Sequence, residues 1–365
     1  MIASAVPRVA RAAGATTGQG LWRDEMTETV DTAVDADPVL ANRVRARLGL
    51  GETHALAVLE GGRSGLTYTI GAGSDRAVVK AVPPGRRAVG RNDVLHQAAI
   101  LEALADTAVP APAVLARDTE QPAWFAMEFA AGQAAEPVLE VDAAVEPALA
   151  RARMLEAARI LGALHAVPLD VVERSLADTG GTLPEAVTAD GEVARWAKTM
   201  YAVPEDLRPG GAELVERLAA SVPAPVAPVI VHGDFRLGNL LFTDATATAL
   251  VDWEIWSVGD PRVDLGWFGV FTDGALFPGS GRVVEGLPSE AELAEAYRAT
   301  RGGDGGTSAD AVWFSALGRM KMAAIMGHNL VRHRTGAHHD PVQEQLPRTI
   351  TALITDGLRL LEGSR

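Results

Sequence analysis

Short apolar runs mark the first third of the chain. The runs at 55–59, 66–70 and 76–82 are rich in aliphatic and β-branched residues, and glycine-rich stretches separate them. This alternation of apolar runs and turn residues is typical of antiparallel strands. The run at 124–129 predicts a further buried strand, and the proline-punctuated segment at 109–115 is predicted to be extended.

Helical periodicity dominates the remainder of the chain. Asp93 is a predicted N-cap for a helix over 94–105, where apolar residues share one face. The same spacing predicts a helix over 147–166 and three amphipathic helices within 289–365. The intervening segment, 167–230, is polar, is interrupted by glycine and proline, and closes with an extended linker. The pattern of this segment predicts no individual helix.

These elements predict an α+β protein with two lobes. A small β-rich N-terminal lobe covers 51–129, and a larger, mainly helical C-terminal lobe covers 130–365. Residues 1–50, with one or two polar helices over 22–49, are predicted to form a helical extension ahead of the first lobe.

Composition narrows the function classes. Hydrophobic residues make up 48% of the 365, a value typical of a globular protein, and the formal net charge of −14 argues against nucleic acid as a partner. The chain has no cysteine, which excludes disulfides, thiolate catalysis and Cys-ligated zinc. No run of 18 apolar residues occurs, so we expect no membrane partner and a cytoplasmic location. The oligomeric state stays open.

The segment 231–267 is the richest in polar chemistry. It contains H-G-D-F-R-L-G-N, in which Asn239 follows Asp234 by five residues, and the next apolar runs predict a hairpin over 240–251. Because a hairpin returns the chain beside its start, Asn239 and Asp252 are predicted to be neighbours. Amide and carboxylate oxygens suit Mg²⁺ in the company of phosphate oxygens. Asp234 can then orient an attacking hydroxyl or accept its proton.

Three parts of this segment, HGDFRLGNLLF, VDWE and GDPRVDLGW, resemble the aminoglycoside phosphotransferase and choline kinase superfamily. Within it, the chain is most similar to phosphotransferase-like enzymes related to the N-terminal domain of some acyl-CoA dehydrogenases, over roughly residues 55–330. The resemblance implies a bilobal protein-kinase-like fold. It also implies transfer of the γ-phosphoryl group of ATP or GTP, with Mg²⁺, to a hydroxyl of an antibiotic-like or metabolic small molecule.

The resemblance also implies roles for individual residues of the segment. Asp234 would be the catalytic base, and Asn239 and Asp252 would be the metal ligands. Three further residues would be structural supports: His232, Asp260 and Asp264. The ring of His232 is expected to bond to the backbone, because Asp234 already supplies the base.

The first lobe is expected to hold the nucleotide phosphates. L-E-G-G-R-S-G-L-T-Y, at 59–68, resembles the family's glycine-rich segment, in which Gly61, Gly62 and Ser64 would let backbone N–H groups approach phosphate oxygens. Taken alone, a glycine-rich stretch of this kind is more often a hairpin turn than a nucleotide-binding loop. Lys80 ends the run VVK, where the family's lysine meets the α- and β-phosphates.

Two further positions complete the predicted nucleotide site. In kinases a glutamate on the next helix holds the lysine, and here Gln97 stands in its place. Gln97 can accept a hydrogen bond from an ammonium but carries no charge, so either it substitutes, another acid serves, or the lysine is held loosely. The backbone of Glu128 and Ala130, between the lobes, is the predicted contact for adenine or guanine.

The acceptor is the open part of the prediction. Segment 133–231 carries 15 acids and 8 bases, which would suit a polyamine if they lined the cleft, but scattered acids more often form a solvated face. Arg236 is expected to be exposed more often than bound to phosphate. The neutral Gln97 leaves one alternative to an enzyme, a catalytically weak or inactive nucleotide- or metabolite-binding module. Most of the following large aromatic residues are expected to be core: Trp196, Trp267, Trp313 and Tyr297.

Overall fold

A computed structural model describes residues 37–59, 66–139, 145–178, 180–302 and 308–363. The predicted phosphate loop, with Gly61, Gly62 and Ser64, lies outside the described residues. Within them, no helix is both long enough and apolar enough to cross a bilayer.

The first lobe is built on an antiparallel sheet of five strands with the order β1-β2-β3-β5-β4. The strands are β1 (Ala57–Val58), β2 (Leu66–Ile70), β3 (Ala77–Ala81), β4 (Val114–Asp118) and β5 (Trp124–Glu128). Four of them, β1, β2, β3 and β5, lie within the predicted runs, although β1 keeps only two residues. Strand β4 shares only Val114 and Leu115 with the predicted extended segment 109–115 and continues to Asp118. In the central strand, Lys80 is paired with Thr67 on one side and with Phe125 on the other.

The alternation of side chains along these strands separates two cores. Helix α1 (Pro38–Leu48) packs against one face, which includes Val79 and Trp124. Helix α2 (Val94–Leu104) packs against the other face, which includes Val78. Because neighbouring strand residues point to opposite faces, Lys80 faces α2 together with Val78. The predicted cap of α2 is confirmed, since the side chain of Asp93 accepts a hydrogen bond from the His96 backbone N–H at 3.1 Å.

The second lobe is mainly helical, as predicted. Its helices are α3 (Pro147–His165), α4 (Leu169–Ala177), α5 (Ala189–Ala202), α6 (Gly211–Ala220), α7 (Arg262–Gly269), α8 (Glu290–Arg301), α9 (Ser308–Arg334) and α10 (Leu346–Glu362). Four of these helices, α3, α8, α9 and α10, were predicted from their periodicity. Helices α4 to α7 were not, because the glycines and prolines around them were interpreted as loop. Packing stabilises these short helices: α5, for example, buries Val193, Trp196 and Met200.

Two small antiparallel pairs place the polar segment 231–267 between the lobes. The predicted hairpin is confirmed as β7 (Leu240–Thr243) and β8 (Thr246–Leu250), with Leu240 opposite Leu250. A second pair, β6 (Val229–Val231) with β9 (Ser257–Gly259), was not predicted. Together the two pairs fix both ends of the loops that carry the polar side chains.

Candidate active site

Asp234 lies on the loop between β6 and β7. Its Oδ2 accepts a hydrogen bond from Asn239 Nδ2 at 2.8 Å, and its Oδ1 accepts one from Trp267 Nε1 at 3.0 Å. Asn239 Nδ2 also donates to the Asp234 backbone carbonyl at 2.8 Å. The side chain of Asp234 remains 17% exposed, so its carboxylate is oriented on one side and accessible on the other.

Asn239 and Asp252 are neighbours, because the Val251 backbone N–H donates to the Asn239 carbonyl at 2.9 Å. Asn239 commits its amide nitrogen to Asp234, which leaves its Oδ1 as the acceptor that can meet a cation. Asp252 has φ of +70°, a left-handed conformation that costs a non-glycine residue about 1–3 kcal/mol and is concentrated at functional sites. Two adjacent oxygen donors of this kind fit Mg²⁺, with phosphate and water completing its coordination.

Asp264 holds the loop that carries Asp234 from its buried side. It is fully buried, and it accepts hydrogen bonds from the backbone N–H groups of His232 at 2.7 Å and Gly233 at 2.9 Å. His165 Nε2 lies 3.3 Å from Asp264 Oδ2, and His165 Nδ1 lies 2.9 Å from the Tyr297 hydroxyl. Burial raises the pKa of Asp264, but the donors from His165 and the loop outweigh it and hold that pKa below its usual range. His165 was not a predicted site residue.

The ring of His232 joins the two sides of the site. Its Nε2 donates to the Val251 carbonyl at 3.1 Å, and its Nδ1 accepts from the Asp234 backbone N–H at 3.2 Å. Both ring nitrogens are therefore engaged with backbone groups. These contacts brace the loop and leave the ring no free nitrogen for proton transfer.

Asp260 acts at a distance from the loop. Its carboxylate accepts from the Arg262 guanidinium, with Oδ2 2.6 Å from Nη2, and it also accepts from the Arg262 backbone N–H at 2.9 Å. Arg262 also reaches Asp310 at 3.1 Å. These contacts fasten the start of α7 to α9, so Asp260 contacts neither Asp234 nor Asp252.

Lys80 reaches across from the sheet to the second lobe. Its Nζ lies 3.2 Å from Gln97 Oε1, 3.4 Å from Asp252 Oδ1 and 3.3 Å from Glu254 Oε1. Burial lowers the pKa of Lys80, but the two carboxylates outweigh that effect and raise it above its usual value, so the ammonium stays charged. Gln97 therefore does contact the lysine. Glu254, which was not predicted, supplies the charge that Gln97 lacks.

Arg236 is buried, with 4% of its surface exposed, so the expectation of an exposed side chain is wrong. Its Nε lies 3.5 Å from Asp234 Oδ1, and its Nη1 lies 3.7 Å from Oε2 of the buried Glu136. Burial lowers the pKa of Arg236, while the carboxylates of Asp234 and Glu136 raise it and prevail. Glu136 also accepts from the Gly238 backbone N–H at 3.2 Å, which fixes the loop between Asp234 and Asn239.

A buried lysine lies on the other side of Asp234. Lys321, on α9, donates to the Gly233 carbonyl, and its Nζ lies 3.8 Å from the Trp267 ring centroid and 5.0 Å from that of Trp196. All four large aromatic residues expected in the core are buried, but Trp267 also contacts the side chain of Asp234. No pattern in the sequence distinguished Lys321 from a solvated helix lysine.

The segment between the lobes that is predicted to contact the nucleobase, here called the hinge (128–132), begins at the last residue of β5. The Glu128 backbone N–H donates to the Ala113 carbonyl at 2.9 Å, so it serves the sheet and is not available to a nucleobase. Ala130 lies in the irregular segment that follows. The base contact of either residue stays a prediction.

Comparison with known proteins identifies the family. A sequence model of the phosphotransferase enzyme family, APH, matches residues 55–310, more than half of the chain, and the chain belongs to this family. Among curated proteins, it is 25% identical over 322 residues to acyl-CoA dehydrogenase family member 11 of Homo sapiens, covering 84% of this chain and 40% of that protein. The chain thus spans less than half the length of the curated relatives it matches.

Solved structures show the same fold. A putative aminoglycoside phosphotransferase from Ralstonia eutropha superposes with a TM-score of 0.69 at 22% identity, covering 89% of this chain and 97% of that one. A thermostable mutant of aminoglycoside phosphotransferase APH(4)-Ia, in complex with AMP-PNP and hygromycin B, gives a TM-score of 0.55 at 15% identity, covering 88% and 99%. The predicted α+β kinase-like fold and the predicted family are therefore confirmed.

Proposed function

We propose that this member of the phosphotransferase enzyme family transfers the γ-phosphoryl group of ATP or GTP to a hydroxyl group of a small molecule in the cytoplasm. One observation carries the proposal. Lys80 of the first lobe lies 3.4 Å from Asp252 of the second lobe, and within the second lobe Asn239 donates to Asp234 at 2.8 Å. A phosphate-binding cation, two metal-binding oxygens and a base thus meet where the lobes face each other. That set is what phosphoryl transfer requires.

Each residue has a distinct part in the proposed reaction. Asp234, oriented by Asn239 and Trp267 and open on one side, orients the acceptor hydroxyl and takes its proton. Lys80 holds the phosphates of the donor. Asn239 and Asp252 would hold Mg²⁺, which when bound stabilises the charge on the transferring phosphoryl group. His232 and Asp264 keep the loop in place throughout.

The charges around Asp234 favour a neutral or anionic acceptor. Two buried cations, Arg236 and Lys321, lie within contact distance of Asp234 or of the residue before it. Of the acids in segment 133–231, Glu136 lies at the site and pairs with Arg236, whereas Asp170 and Glu213 are 60% and 54% exposed and pair with arginines of their own helices. Arg236 is balanced by Asp234 and Glu136, but the described contacts of Lys321 are a backbone carbonyl and two aromatic rings, so its charge beside the carboxylate disfavours a polycationic acceptor.

The experiment is a panel of hydroxyl compounds that includes neutral, anionic and polycationic members, each incubated with ATP or GTP and Mg²⁺. We expect turnover with members of the first two groups and a rate lower by about a hundredfold or more in Asp234→Ala. Turnover confined to the polycations would contradict the proposed acceptor class alone. Absence of Mg²⁺-dependent turnover across the whole panel would leave the alternative, a nucleotide- or metabolite-binding module.

A further inference from the structure

The lysine of the proposed nucleotide site takes its counter-charge from an unexpected element. Gln97 is its partner on α2, whereas Asp252 and Glu254 both belong to the turn that follows β8. The helix thus offers Lys80 a neutral acceptor only. Among the described residues, the two carboxylates that contact the ammonium both belong to the other lobe.

The two carboxylates differ in what they can do once a nucleotide is bound. The side chain of Asp252 is 34% exposed and is a proposed metal ligand, whereas that of Glu254 is 13% exposed. An ammonium has three donors, and phosphate oxygens will occupy at least one of them. When Asp252 turns to the metal, Glu254 and Gln97 are the described partners that can remain with Lys80.

The turn that carries Glu254 is anchored independently of α2. Trp253, between the two carboxylates, is 2% exposed, and its Nε1 donates to the Leu250 carbonyl at 3.1 Å. Its ring also lies 4.7 Å from that of His232, centroid to centroid. With Trp253 directed into the core, the carboxylates on either side of it both reach Lys80.

We propose that Glu254 is the positioning residue that supplies Lys80 with its counter-charge, the part that a helix glutamate has in protein kinases, and that Gln97 is a second, neutral anchor. The inference rests on the proposed nucleotide site. It has a structural consequence: a shift of α2 cannot remove the charged partner of the lysine, because that partner belongs to the metal-binding turn.

Glu254→Gln tests the proposal because it keeps the shape of the side chain and removes its charge. Nucleotide affinity is measured by calorimetry without an acceptor, once with Mg²⁺ and once with a chelator. We expect the affinity to fall about tenfold or more in both conditions, the size of a lost hydrogen bond to a charged group. Adding Gln97→Glu to this variant returns a carboxylate to Lys80 from α2 and is expected to recover most of the loss. Glu120→Gln, at a residue whose side chain is 82% exposed, is the control.

Either of two affinity results would overturn the proposal. One is an unchanged affinity in Glu254→Gln. The other is a loss seen only with Mg²⁺ and not recovered by Gln97→Glu, which would make Glu254 a metal ligand. If Glu254→Gln does not fold, the melting temperature of the double variant decides: recovery supports the proposal, and a double variant that stays unfolded overturns it. Wild type that binds no nucleotide would instead contradict the proposed function.

Discussion

Asp234 and Asp264 are two aspartates of one short segment with opposite surroundings. Asp264 is fully buried, and two backbone N–H groups and a histidine ring nitrogen point at its carboxylate. Asp234 accepts from one amide and one indole, and 17% of its side chain stays exposed. Both carboxylates are oriented by hydrogen bonds, but only one has room for a further partner.

This difference supports the proposed division of roles, in which Asp264 supports the loop and Asp234 reacts. Donors on all sides stabilise the ionised form of Asp264 and lower its pKa, which makes it a poor proton acceptor but a strong anchor for the loop. Asp234 is fixed on one side only, so a substrate hydroxyl can approach the other. Identical substitutions at the two positions should therefore damage different properties.

Replacing Asp234 with alanine should have the largest effect on turnover. Loss of a positioned base costs about 10²–10⁴-fold in rate. The melting temperature should fall less than in Asp264→Ala, because Glu136 still faces the buried guanidinium of Arg236 after the change. Steady-state kinetics and thermal unfolding measured on the same preparation check both halves. An Asp234→Ala protein that retains a tenth of wild-type kcat would remove Asp234 from the role of base.

Asp264→Ala should have the converse outcome. It leaves the buried N–H groups of His232 and Gly233 without an acceptor, and the loss of a buried charged partner costs about 3–5 kcal/mol of unfolding free energy. Chemical denaturation measures that loss directly. If Asp264→Ala is as stable as wild type, the carboxylate is not the anchor that its contacts indicate.

Trp267→Phe sharpens the comparison from the side of Asp234. It removes the indole N–H that donates to Asp234 Oδ1, and the loss of a hydrogen bond to a charged group corresponds to about tenfold in kcat. KM for the nucleotide should stay within a factor of about two, because Trp267 does not contact Lys80. The matched control is Trp313→Phe, whose indole N–H donates to the Leu218 carbonyl at 3.1 Å. Equal losses of kcat in both variants would assign the effect to core packing.

Part of the candidate site and the order of the elements could be predicted from the sequence. The spacing of Asp234 and Asn239 and the hairpin that returns Asp252 are local features, and local hydrogen bonding and turn geometry decide them. The kinase-like order of elements followed from periodicity and from the three motif segments. These positions needed no knowledge of distant contacts.

The remaining partners could not be predicted, because they come from elements far away in the chain. His165 on α3 and Lys321 on α9 reach the loop only through the packing of the second lobe. Glu254 was visible in VDWE, but nothing local indicated that it would face Lys80 of the first lobe. Arg236 was misjudged for the same reason, since the buried Glu136 that pairs with it follows the hinge.

The smallest expected effect concerns acid stability and tests the anchor rather than the base. Burial lowers the pKa of His165, which lies against Asp264, Tyr297 and the charge of Arg301. A folded-state pKa below the unfolded value of about 6.5 means that the unfolded chain binds a proton first as the pH falls, so stability decreases below that pH. In His165→Gln, urea unfolding between pH 7 and pH 5 should show a pH slope shallower by up to about 1.4 kcal/mol per unit. The control is His339→Gln, at an exposed ring, which should keep the wild-type slope. A wild-type slope in His165→Gln as well would show that Asp264 is not held by a neutral histidine.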